Sequence, residues 1–85
     1  MSLRLRAHVL LTETDDGAVL LDEKTGRYWQ LNRSGSLILK TLLDGGAPEQ
    51  AAAAVAARYP VDEARALDDV RGLLSTLHSA RLARR

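Results

Sequence analysis

The chain contains no cysteine and no phenylalanine, and only one methionine, one tryptophan and two prolines among its 85 residues. The missing cysteines exclude disulfides and thiolate zinc sites. No apolar run approaches the roughly 20 residues needed to span a bilayer. The N-terminus, Leu3-Arg4-Leu5-Arg6, lacks the apolar stretch and cleavage pattern of a secretory signal, so a cytoplasmic location is expected. Excess charge of one sign is lacking too: 12 Lys/Arg against 11 Asp/Glu leave a formal net charge of +1. Proteins that live by gripping phosphates carry a basic surplus, so nucleic acid is not the expected partner.

What remains is an ordinary folded composition, 46 % hydrophobic, and a length that fits one small domain over residues 1–85. A chain this short buries only about 60 % of the surface its unfolded form exposes, so its margin of stability is narrow.

Hydrophobic periodicity divides the chain into strands followed by helices. Residues 3–11 alternate, with Leu3, Leu5, Ala7, Val9 and Leu11 on one side and Arg4, Arg6 and His8 on the other, the pattern of a half-buried strand. A turn cluster over 13–17 leads to a second strand over 18–22. "EKTG" at 23–26 reads as a four-residue hairpin loop, with Gly26 supplying a positive φ. "RYWQL" at 27–31 returns as a third strand. Asn32 or Ser34 can cap a first helix that carries Leu37, Ile38, Leu39, Leu42 and Leu43 and ends at Asp44-Gly45-Gly46. Pro48 opens an alanine-rich second helix. Asp62 caps a third, with Leu67, Val70, Leu73, Leu74 and Leu77 on its apolar face. A short arginine-bearing tail follows. The predicted fold class is α+β: a three-stranded antiparallel sheet followed by three helices, βββααα.

Catalytic chemistry finds little support. The two histidines, His8 and His78, fall on a strand and a late helix, and with no cysteine neither a metal site nor a resident cofactor is expected. No nucleophile elbow, P-loop or dinucleotide fingerprint is present. The acidic pairs Asp15-Asp16, Asp22-Glu23 and Asp68-Asp69 read as solvated charges. The chain is therefore expected not to be an enzyme.

The informative stretch is "GRYWQLN" at 26–32, which holds the only tryptophan and one of the two tyrosines. In a three-stranded meander, strand 27–31 is an edge, and a natural edge is usually blunted by lysine, proline or a bulge. "RYWQL" has only Arg27 as a guard. Such an edge invites an extended peptide to add as a fourth strand. It equally invites a second copy of the chain, so a homodimer through sheet edges is a further expectation. Trp29 and Leu31 share one face; Tyr28 and Gln30 share the other. The third helix, if it lies near this edge, supplies a second wall.

The run "LLDEKTGRYWQLNRSGSLILKTLLDGG" resembles the PqqD-like proteins, also called RiPP recognition elements. The matching features are Leu21-Asp22, Gly26 and Tyr28, Leu31-Asn32 with Gly35 and Ile38, and Leu42 with Gly45. Farther on, Tyr59, Asp69-Val70, Leu73-Leu74 and Leu77 continue the pattern. A bulky phenylalanine of the family falls on Leu73, and a usual glycine near the end of the last helix falls on Arg81. The resemblance implies a winged-helix-like fold that binds the leader segment of a ribosomally made precursor peptide by strand addition. It further implies delivery of that leader to a separate maturation enzyme, as in the leader-binding partner of the lasso leader peptidase. Residue by residue, it implies peptide contacts from Arg27, Tyr28, Trp29, Gln30 and Leu31. On the third helix it implies contacts from Asp69, Val70, Leu73, Leu74 and Leu77. Three alternatives stand beside this reading. They are a PqqD-type peptide chaperone for a radical SAM enzyme in pyrroloquinoline quinone synthesis, a winged-helix DNA-binding protein, and a subunit that only stabilises an enzyme.

Overall fold

A computed structural model describes residues 3–84. Its order is β1 (Arg4–Leu5), β2 (Val9–Thr14), β3 (Gly17–Asp22), β4 (Tyr28–Leu31), α1 (Arg33–Leu43), α2 (Pro48–Arg58), α3 (Glu63–Ser79) and β5 (Ala83–Arg84). β2, β3 and β4 form an antiparallel sheet in that spatial order, and three helices follow, so the α+β arrangement expected from the sequence is present.

Two departures lie at the termini. The alternating stretch 3–11 is not one strand: a turn at Ala7-His8, closed by the bond from Val9 N–H to Arg6 O at 3.0 Å, divides β1 from β2. The alternation is interrupted there, leaving Ala7 exposed while Leu3 and Val9 remain buried. The C-terminal stretch is no tail. It forms β5, which pairs with β1, and Leu82 and Ala83 are buried. A third, smaller difference concerns the first turn: β2 runs on to Thr14 and only Asp15-Asp16 turn, because β3 already begins at Gly17.

The helix ends follow the expected chemistry. The Asn32 side chain caps α1 by accepting from Gly35 N–H at 2.8 Å, and Asp62 caps α3 by accepting from Arg65 N–H at 2.8 Å. α1 closes with the double bond pattern that places a left-handed residue just past the cap: Gly46 N–H to Thr41 O and Gly45 N–H to Leu42 O. Gly45 takes φ +96° there. α3 closes in the same way, Leu82 N–H to Leu77 O and Arg81 N–H to His78 O, but the left-handed residue is Arg81 at φ +58°. A Cβ in that region is disfavoured by about 1 kcal/mol. Arg81→Gly should therefore raise stability by about 0.5–1 kcal/mol, read as a higher urea midpoint at unchanged slope.

The core is one cluster joining every element. Leu20 of β3, Ile38 and Leu39 of α1, Val55 of α2, and Val70 and Leu77 of α3 are sealed within it, with Leu82 closing it from the C-terminal side. Trp29 and Leu31 pack on its edge from β4.

Candidate functional site: an open strand beside a helix groove

The bonding pattern of the sheet determines which groups β4 leaves free. The bond from Glu23 N–H to His8 O sets odd-numbered β3 residues facing β2, and that from Asp22 N–H to Arg27 O sets even-numbered ones facing β4. Antiparallel pairs alternate, so Ala18–Leu31, Leu20–Trp29 and Asp22–Arg27 are the bonded pairs across β3–β4. The backbone groups of Tyr28 and Gln30 consequently point out of the sheet. β4 thus offers two N–H donors and two C=O acceptors, two residues apart.

Side chains alternate in the other sense. Tyr28 (65 % exposed) and Gln30 project from the sheet face away from the core, whereas Trp29 and Leu31 lie half-buried against it. Arg27 covers the outer side of Trp29, its guanidinium carbon 5.2 Å from the ring centroid, a cation–π contact that fixes the indole at the mouth of the edge.

The loop entering β4 is braced by Asp22. The sequence reads this residue as one of a solvated acidic pair, but it is 6 % exposed. Its Oδ1 accepts from Lys24 N–H at 2.9 Å and lies 3.8 Å from His8 Nε2. Burial pushes its carboxyl up, but donation from the Lys24 and Thr25 backbone, the His8 charge and the Thr25 hydroxyl outweigh this and hold it below its ordinary 3.8. A carboxyl so lowered stabilises the fold fully above its ordinary range, and that contribution is lost as pH falls through the folded value. Thermal melts of wild type and Asp22→Asn should differ at neutral pH and converge as pH drops below about 3.8.

A groove of about 320 Å³ opens where β4 ends. Asn32, Ser34, Gly35 and Ile38 from the start of α1 form one wall, and Asp68, Asp69, Gly72 and Leu73 of α3 form the other. α3 packs chiefly against α2, with lesser contacts to α1 and β5, and β4 is not among its main neighbours. The strand edge and the helix therefore stand apart rather than closing on each other.

The helix residues expected at the site divide by burial. Asp69 and Leu73 line the groove. Val70 and Leu77 have no exposed surface; they anchor α3 to the core and offer a guest nothing to touch. Leu74 is half-buried and does not line the groove, because it lies one residue, about 100°, around the helix from Leu73. The sequence reading missed Gly72. A Cβ placed there would meet nothing within 4 Å, so the glycine is not required by packing, and it costs the helix about 1 kcal/mol relative to alanine. An isolated glycine in a strongly helical stretch was the available signal. Among the described residues there is no group of His, Cys, Asp or Glu side chains able to hold a metal, and no helix long and apolar enough to cross a membrane.

An antiparallel sheet with an open edge at β4, set beside a helix groove, can accept an extended peptide as an added strand. The chain belongs to the PqqD family: residues 17–83 match the family described as coenzyme PQQ synthesis protein D. It is also similar to a solved "lasso peptide synthetase B1 complexed with the leader peptide", with 36 % identity, TM-score 0.89 and 100 % of both chains covered. A second similar structure is "TbiB1 in complex with the TbiA(beta) leader peptide", with 34 % identity, TM-score 0.80, and 94 % of this chain and 93 % of that one covered. No curated protein sequence matches the chain significantly.

Proposed function

We propose that this protein is a non-catalytic, cytoplasmic carrier that binds the leader segment of a ribosomally made precursor peptide. It then delivers that leader to a separate leader peptidase of lasso peptide biosynthesis. The observation that carries this reading is the outward row of Tyr28 and Gln30 backbone groups beside an open groove. The leader adds as a fourth strand on β4, and its alternate side chains enter the groove between α1 and α3. The leader-bound state of both similar structures supports this reading.

Magnitudes divide the work between edge and groove. Four backbone bonds at about 1 kcal/mol each supply about 4 kcal/mol, whereas micromolar binding requires about 8 kcal/mol and the ordering of the leader adds to the demand. The balance comes from apolar leader side chains against Leu73, Leu31 and Trp29. Arg27 at one end and Asp68-Asp69 at the other favour a leader of complementary charge order, at about 0.2–1 kcal/mol for each exposed pair.

The test is fluorescence anisotropy with a labelled leader from a precursor encoded beside this chain and, in parallel, a pyrroloquinoline quinone precursor. Saturable binding of the lasso-type leader alone is expected. Preference for the quinone precursor would favour the family's other role, and binding of neither would end the proposal. Gly72 supplies an internal check. Gly72→Leu should keep or raise thermal stability, since leucine favours helix, yet weaken leader binding at least about tenfold by filling the groove.

A further inference from the structure

Four basic side chains, Arg4, Arg6, Lys24 and Arg84, line one open cleft of about 390 Å³ together with His8, where the β1–β5 pair meets the β3–β4 loop. No acidic side chain lines it. Arg4 and Arg84 are direct cross-strand partners, and like charges so placed repel and weaken the pairing. The Nε of Arg6 is sealed from solvent without a hydrogen-bond partner. Its backbone is nevertheless held firmly, through Arg6 N–H to Leu82 O at 2.9 Å and Val9 N–H to Arg6 O at 3.0 Å. Among the described residues none of these four has an ion-pair partner, and Asp22, 3.8 Å from His8, is already engaged by Lys24 N–H. In a chain with a net charge of +1, four basic side chains at one corner form a local concentration of positive charge.

We infer that this cleft is a second binding site, which takes an acidic segment of a partner polypeptide. Arginine forks pair with carboxylate and phosphate alike, but an enclosed phosphate site often adds the backbone N–H groups of a glycine-rich turn or a helix N-terminus. No glycine and no helix start lines this cleft. Its cations are spread along a strand and a neighbouring loop, which suits carboxylates spaced along an extended chain. No residue lines both this cleft and the groove beside β4, so the two sites do not overlap.

The test is anisotropy of a labelled hexaglutamate peptide titrated with the full chain at low and then rising salt. The titration is repeated with Arg4→Gln/Arg84→Gln and with Tyr28→Pro. Saturable binding is expected, weakened at least about tenfold by the paired arginine changes and by salt, and unchanged by Tyr28→Pro. The double variant removes a repulsive pair, so its melting temperature should not fall, which separates lost binding from lost folding. Absent binding, or equal affinity in the double variant, would overturn the inference. So would displacement of the peptide by tripolyphosphate or a DNA duplex that binds more tightly.

Discussion

Proline at position 28 should weaken leader binding by about 2 kcal/mol or more, roughly thirty-fold in Kd, while leaving the fold intact. The N–H of Tyr28 points away from β3, so its removal breaks no bond within the sheet. A guest carbonyl aligned with that position would lose its donor and meet the proline ring instead. Trp29→Pro is the opposing control, because the N–H of Trp29 belongs to the bonded pair with Leu20 and its loss should melt β4. Tyr28→Ala is the second control. The Tyr28 side chain projects from the outer sheet face, so its truncation should weaken binding less than the proline does. Anisotropy with the leader, together with circular dichroism melts of all three variants, separates backbone from side-chain contributions.

Gly17→Ala should be the most damaging single substitution among the glycines. Gly17 holds φ +148°, a region closed to side chains, and a Cβ there would lie 1.9 Å from Leu31 O and 2.7 Å from the Asn32 carbonyl carbon. Both obstacles are backbone, so no rotamer change relieves the clash; the start of β3 must separate from the junction of β4 and α1. Backbone strain and overpacking each cost about 1–3 kcal/mol. A combined loss near 3 kcal/mol lowers the melting temperature of a domain this size by roughly 10–25 °C. Gly26→Ala provides the comparison. Gly26 has φ +74° but open space around it, so only the strain should appear, about 1 kcal/mol. Because Gly17 presses on Leu31 and Asn32, its replacement should also reduce leader binding in any fraction that still folds.

Much of this arrangement is legible in the residues because local signals agreed with one another. The Gly26 loop, the Asn32 and Asp62 caps, the Gly45 stop and the edge position of "RYWQL" each depend on near neighbours in sequence. What escaped depends on distant contacts. β5 forms only because Ala83 and Arg84 meet Leu5 and Arg4 across nearly the whole chain, and two-residue strands carry no periodicity. The burial of Asp22 reflects bonds that exist only once the loop has closed. On α3, helical spacing put Val70, Leu73, Leu74 and Leu77 on one broad apolar face. It could not say that Val70 and Leu77 would be sealed beneath the core while Leu73 and Asp69 reached the groove.

Strand addition to β4 is tested most directly by amide hydrogen exchange of the labelled protein, resolved residue by residue by NMR, free and with saturating leader. In the free protein the Tyr28 and Gln30 amides should exchange quickly and those of Trp29 and Leu31 slowly, since only the latter bond to β3. With leader bound, Tyr28 and Gln30 should become protected, giving continuous protection along the strand. Saturable leader binding that leaves the Tyr28 and Gln30 amides exchanging as before would contradict strand addition and place the leader elsewhere on the protein.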